Sequence, residues 1–261
     1  MRTYADFHVH TKFSDGRDSM EKMAETAYEK GMYALGFSDH AERDFGLNEA
    51  RIEAYKAEIV RIRKLYEGKI QIYAGVELDL FSEMPTDGLD YIVSSAHYLK
   101  HGDELLPVDW SGERTREIVD KYYGGDIFAY TRDYYSEVSH LADRGPAVIG
   151  HFDLVTKFNE GGQMFDECDP KYLAPAMDAV EALAAKNAVF EINTGAIFRG
   201  HRSQPYPSLP LLRRMKELGG RFILAGDSHN ADALCYQFAE AEAYAGLAGI
   251  TEFEKYPPGR N

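Results

Sequence analysis

Cysteine is nearly missing from this 261-residue chain: Cys168 and Cys235 lie far apart and in no CxxC pair. That excludes a disulfide framework and a thiolate zinc site as organising devices, and it fits a reducing compartment. Basic charge is scarce as well, with 29 Lys and Arg against 43 Asp and Glu and a formal charge of -14. Such a surface repels nucleic acid unless a local basic patch or a metal centre overrides it. No apolar run reaches membrane-spanning length, and Met1 to Asp6 lead into polar motif residues without the apolar stretch of a signal peptide. The expectation is a cytoplasmic protein with neither a membrane nor a nucleic-acid partner. Repeats, low-complexity tracts and linkers are lacking too, so one domain over residues 1–261 is expected.

What the chain does have is 44% hydrophobic residues, arranged in short runs that alternate between two periodicities. Apolar runs bounded by Gly, Asp or His predict strands at 4–8, 34–38, 71–76, 91–95, 147–150, 189–193 and 221–225. Between Glu49 and Tyr66, residues Ile52, Tyr55, Ile59, Ile62 and Leu65 recur three or four apart, which predicts a helix capped by Asn48 and stopped at Gly68. Further helices are expected from Ser19 to Lys30, from Pro170 to Lys186 with Asp169 as cap, and from Leu209 to Leu218 before Gly219-Gly220. Repeated βα alternation implies a parallel sheet, and the length is near the roughly 250 residues of a β/α barrel. Segments 98–125, 157–168 and 194–210 interrupt the alternation and read as excursions near the site.

Polar residues collect where the strands end. His8 and His10 are two apart, so a strand points both the same way. Six of the nine histidines, His8, His10, His40, His97, His151 and His229, fall at or just past an expected strand end. In a β/α barrel those ends converge on the face that carries active sites. Any one of them alone reads as an ordinary core or surface histidine; the set does not. Glu77 follows Ala74-Gly75-Val76 and Asp227 follows Leu224-Ala225-Gly226, so each acid stands where a buried strand emerges. An unpaired carboxylate there costs several kcal/mol, which a metal ion offsets. Asp15 in Ser14-Asp15-Gly16 reads by itself as a turn residue. Imidazole and carboxylate donors without thiolate suit zinc, manganese or iron.

Together, His8-Val9-His10-Thr11, Ser14-Asp15-Gly16, Phe37-Ser38-Asp39-His40, Gly75-Val76-Glu77, Ser95-Ala96-His97, Gly150-His151 and Gly226-Asp227-Ser228-His229 resemble the PHP (polymerase and histidinol phosphatase) superfamily, most closely its histidinol-phosphate phosphatase branch. The resemblance runs from about Tyr4 to Ala245. It implies a distorted (β/α)7 barrel with three divalent metal ions, zinc favoured, at the C-terminal ends of the strands. His8, His10, Glu77 and Asp227 would hold the first ion. Glu77 would bridge to a second ion on His97 and His151, and Asp15, His40 and His229 would hold the third. Asp15 departs from members that carry histidine at that position. Six metal charges less three carboxylates leave about three, which suits hydroxide plus a phosphomonoester.

The implied reaction is hydrolysis of a small phosphomonoester, L-histidinol phosphate, by a hydroxide bridging two ions. A metal-bound water, Asp227 or Asp153 are candidates for the proton donor to the leaving group. Arg199, after Glu191-Ile192-Asn193-Thr194-Gly195, is the expected phosphate contact, with Lys157, His201, Arg202 and Tyr206 as weaker substrate candidates. Asp103, Glu104 and Asp109 would suit a cationic amine. Two rivals share the motif set: a phosphodiesterase or nuclease, or a phosphatase acting on another metabolite or a phosphoprotein. A metal-stabilised regulatory module without catalysis is the third. The acidic balance opposes polynucleotide binding.

Overall fold

All seven expected strand positions are strands in the computed structural model, which describes residues 4–42 and 45–258. Met1 to Thr3, part of the N-terminal reading, lie outside the described residues. The elements run β1 (Ala5–Asp6), α1 (Met20–Glu29), β2 (Ala34–Phe37), β3 (His40–Ala41), α2 (Ile52–Leu65), β4 (Gln71–Ala74), β5 (Glu77–Asp79) and β6 (Val93–Ser95). Then come the hairpin β7 (Tyr98–His101) and β8 (Glu104–Pro107), α3 (Gly112–Tyr123), α4 (Ile127–Val138), β9 (Val148–Ile149) and α5 (Pro170–Ala185). The chain closes with β10 (Val189–Asn193), α6 (Gly195–Phe198), α7 (Leu209–Glu217), β11 (Arg221–Ala225) and α8 (Phe238–Gly246). Among the described residues no helix is long and apolar enough to cross a membrane.

The fold is mixed α/β, with two parallel sheets in the order β1-β2-β4 and β11-β10-β9-β6-β5-β3, and the antiparallel β7-β8 pair apart. Two expected strand regions break, so the ladders are not one seven-stranded set: β2 gives way to β3 across Ser38-Asp39, and β4 to β5 across Gly75-Val76. The cause lies in what fills the interior. A Cβ on Gly75 would stand 2.2 Å from Tyr91 Cζ, and one on Gly36 would stand 2.4 Å from the Tyr91 hydroxyl. That hydroxyl lies 2.8 and 3.1 Å from the carbonyls of Phe7 and Phe37. Beyond it, side chains replace ladder partners: Ser38 Oγ accepts from Val9 N at 2.9 Å and Asp39 Oδ1 from Thr11 N at 2.7 Å. The chain therefore leaves the first sheet at Ser38-Asp39 and Gly75-Val76 and joins the second with His40 and Glu77.

Ala5, Phe7, Ala34, Tyr91, Val93, Val148, Val189 and Ile223 form one buried cluster drawn from both sheets. Larger clusters lie outside it, one beneath α1 and α2 and one around α4, α5 and α7. The two sheets meet again at a parallel bridge between Val9 and Ser228, where His10 N donates to Ser228 O and Ser228 N to His8 O, each at 2.9 Å. The helices follow their capping signals, with Ser19 and Asp169 accepting from the first turns of α1 and α5. For α2 the expectation needs correction. Asn48 Oδ1 accepts from Ala50 and Arg51 N, so it closes the turn before the helix, whose cap position is Arg51. The 98–125 excursion is a hairpin followed by α3.

Candidate metal centre

Glu77 opens β5 with its side chain fully buried, and five imidazoles surround its two oxygens. Oε1 lies 2.9 Å from His151 Nε2, 3.2 Å from His97 Nε2 and 3.3 Å from His8 Nε2. Oε2 lies 2.9 Å from His40 Nδ1 and 3.5 Å from His10 Nε2. Asp227 faces the same space, with Oδ1 3.3 Å from His10 Nε2, 3.8 Å from His8 Nε2 and 3.5 Å from His229 Nδ1. Asp15 completes the set from the turn after His10, its Oδ2 3.0 Å from His229 Nε2 and its Oδ1 3.8 Å from both His10 Nδ1 and His40 Nε2. All nine sequence candidates thus meet in one place, although they come from residues as distant as His8 and His229.

Three of the groupings able to hold a cation are His10, Asp15, His40 and His229; His8, His10 and Asp227; and His8, Glu77 and His151. These differ from the expected partition: His10 reaches towards the Asp15 group as well as towards Asp227, His8 joins Glu77 and His151, and His97 groups with His40 and Glu42. The donor chemistry fits divalent ions. His8 Nε2, both ring nitrogens of His10, His151 Nδ1 and Glu77 Oε2 are sealed from solvent and make no hydrogen bond. So many orphaned polar atoms in one spot are costly without a cation. Burial together with His229 and His40 pushes His10 well below the ordinary imidazole range, which favours the neutral form a metal needs. Burial opposes the charge on Asp227, but Arg199 and His8 outweigh it and hold the carboxyl well below its usual range.

Four acids that sequence reasoning passed over orient this set. Glu191 Oε2 lies 2.8 Å from His8 Nδ1, while its Oε1 accepts from His151 N at 2.6 Å. Asp79 Oδ2 accepts from His97 N at 3.0 Å and lies 3.4 Å from His97 Nδ1. Asp6 accepts from Gly226 N and from the Ser228 hydroxyl, each at 3.0 Å, which fixes the turn before Asp227. Glu42 stands beside His40 and His97, and these three make a fourth grouping. The usable signal was an ionisable residue inside an otherwise apolar run, as Glu191 is within Val189–Asn193.

The substrate candidates separate. Arg199 Nη2 donates to Asp227 Oδ2 at 2.6 Å and Nη1 to Asp227 O at 3.0 Å, and its Nε is buried without a partner. With His201, Asp15, Arg17, His229 and Asn230, it lines a cleft of about 470 Å³ against the centre. Lys157 pairs with Asp109 at 2.9 Å, so each is committed to the other. Arg202 is tied to Glu167 through both terminal nitrogens at 2.7 and 3.0 Å and to Thr156 O at 3.0 Å. Tyr206 is buried. Glu104 takes a hydrogen bond from the Tyr122 hydroxyl, and Asp103 lines a separate groove of about 810 Å³. Of the two side-chain proton donors considered, Asp227 is held ionised. Burial pushes Asp153 up to about 7, and its Oδ2 accepts from Ser208 N at 2.9 Å.

The PHP domain family model matches residues 6–195. A protein of Deinococcus radiodurans described as a probable histidinol-phosphatase is 28% identical over 257 residues, covering 92% of each chain. The histidinol-phosphatase of Bacillus subtilis is 24% identical, over 89% of this chain and 96% of its own. The histidinol phosphate phosphatase of Lactococcus lactis, solved with zinc, L-histidinol and phosphate, superposes with a TM-score of 0.74 at 22% identity over 97% of both chains. The nine-residue cluster, the family match across most of its ligand positions and these full-length likenesses agree, and the chain belongs to the PHP family, among relatives named as histidinol-phosphatases.

Proposed function

We propose that this protein is a metal-dependent phosphatase that hydrolyses L-histidinol phosphate to L-histidinol and phosphate. The observation that carries the reading is the closure of six imidazoles and three carboxylates around Glu77, with orphaned nitrogens facing one another. Likeness to histidinol-phosphatases over nearly the full length supports the substrate class. Three divalent ions, zinc favoured, would be held by these residues: Glu77 would serve two of them, and Asp15, His40 and His229 would hold the third. A divalent ion there activates water at neutral pH and screens the phosphoryl oxygens.

The chain's own residues do the rest. Arg199 presents its unpartnered Nε at the cleft, where it would take a phosphate oxygen while Asp227 fixes the guanidinium plane. Glu191 and Asp79 hold His8 and His97 in the tautomer that leaves Nε2 free to ligate. His201, edge-on to Phe158 with centroids 5.3 Å apart, is the neutral wall of the cleft, because burial and then Lys157 lower its pKa. For the scaffold, the cluster drawn from both sheets and the Val9–Ser228 bridge support a single domain built as a distorted (β/α)7 barrel.

The test is phosphate release by purified protein, stripped with chelator and reloaded with zinc, manganese or iron. L-Histidinol phosphate would be compared with other phosphorylated metabolites, a phosphotyrosyl peptide and single-stranded DNA. Strong preference for L-histidinol phosphate is expected, with loss on stripping. A reloaded protein that releases no phosphate, or prefers another substrate, overturns the assignment.

A further inference from the structure

Glu42 is outside the nine ligand candidates, yet its carboxylate lies at the flank of the centre. Its Oε1 is 3.3 Å from His40 Nδ1 and 3.9 Å from His97 Nδ1, and its other oxygen accepts from the Tyr98 hydroxyl at 2.6 Å. Glu42 and the residues 45–47 are tied to their neighbours. Glu42 N donates to Phe45 O at 3.1 Å and Leu47 N to His40 O at 2.6 Å. Gly46 adopts φ +80°, where a Cβ would meet His40 O at 2.1 Å. Only glycine permits that return of the chain against His40.

An imidazole that ligates through Nε2 leaves an Nδ1 proton that needs an acceptor. His8 has Glu191, His97 has Asp79, and His229 Nδ1 lies 3.0 Å from Asp227 O. His40 Nε2 faces Asp15, so its Nδ1 must find an acceptor on the other side. Two carboxylates are near: Glu77 and Glu42. Glu77 is the group whose lone pairs the cations would claim, which leaves Glu42. Tyr98, directly after His97 at the start of β7, fixes the second oxygen of Glu42 and so restricts its rotation.

We propose that Glu42 is a positioning residue that accepts the Nδ1 proton of His40 and thereby sets the affinity of the cation position formed by Asp15, His40 and His229, with Tyr98 holding the carboxylate in place. The inference rests on the metal-centre reading above. Its test is a calorimetric zinc titration of the chelator-stripped full chain, which resolves binding steps without using activity. Wild type is expected to show three steps. In Glu42→Ala the weakest step should lose roughly 10–100-fold in affinity while the other two stay unchanged. Glu42→Gln keeps an acceptor oxygen and should lose less, and Tyr98→Phe should shift the same step in the same direction. Should circular dichroism show Glu42→Ala misfolded, the near-isosteric Glu42→Gln and Tyr98→Phe variants decide the matter. Three unchanged steps in the variants overturn the role of Glu42 and leave the metal centre standing. Equal weakening of all steps makes Glu42 a general structural support and overturns it too. No zinc uptake by wild type removes the metal centre and this inference together.

Discussion

Replacing Glu77 by Gln perturbs the middle of the cluster, since nitrogens of His8, His40, His97 and His151 lie within 3.3 Å of its oxygens. The amide keeps the shape and the Ser95 hydroxyl bond, 2.6 Å in wild type, but it has no charge and only one oxygen with which to share cations. With free metal at about 1,000 times Kd, one site stabilises the fold by about 4 kcal/mol. In a chain of this size each kcal/mol moves Tm by about 2–4 °C. Zinc should therefore raise the Tm of stripped wild type by about 8–16 °C for each position filled, and that of Glu77→Gln by only about one position's worth, that of Asp15, His40 and His229, which does not use Glu77. In chelator the order should invert at high pH. Burial lowers the His40 imidazole, but Glu77 outweighs burial and pushes it up to about 9. In the stripped protein that pair stabilises fully below about pH 6.5 and is lost as pH rises through about 9. Glu77 also raises His8 and His97, and once all these imidazoles are neutral at high pH it remains as a buried anion, a cost of about 3 kcal/mol that the amide avoids, so the variant should then melt about 6–12 °C higher. Thermal unfolding with zinc and with chelator measures both signs. Equal zinc shifts in the two proteins, or a less stable variant in chelator at high pH, would refute the reasoning.

Three further outcomes follow from separate observations. Gly75→Ala places a Cβ 2.2 Å from the Tyr91 ring and should cost about 1–3 kcal/mol by overpacking, read as a lowered Tm in the stripped protein. Arg202→Met should lower stability by about 2 kcal/mol, because it leaves Glu167 with no charged partner and only the Asn159 amide as donor, and leave KM for the phosphoester unchanged; a large KM effect would return Arg202 to the substrate site. Zinc affinity should fall as pH drops through about 9, where His40 of the stripped protein takes up a proton that a ligand must shed, and an indicator titration at several pH values would expose a flat profile.

Much of this molecule is legible in the residue order because strand ends and ligand motifs coincide. The apolar run from Val189 and the acid that follows Gly226 announce both a buried strand and the point where it leaves the sheet. The strand breaks were hidden, since Gly36 and Gly75 lie inside runs that read as strands and only three dimensions place the Tyr91 ring against both. Glu42, Asp79 and Glu191 were also hidden, because their partners lie far off in sequence or on the imidazole edge turned away from the centre. Arg202 misled in the opposite way, its place in the 194–210 segment suggesting a substrate contact while Glu167 had already taken the fork.

The parallel bridge between Val9 and Ser228 has a consequence for the order in which the protein matures. His8 and His10 leave the ribosome long before Asp227 and His229, and the cluster needs all four. A nascent or truncated chain therefore lacks the completed cation cradle, however much of the sheet it has formed. Metal uptake becomes a late event that seals finished molecules, and a ruptured seam between the first and last strands should release the ions before the rest of the body unravels.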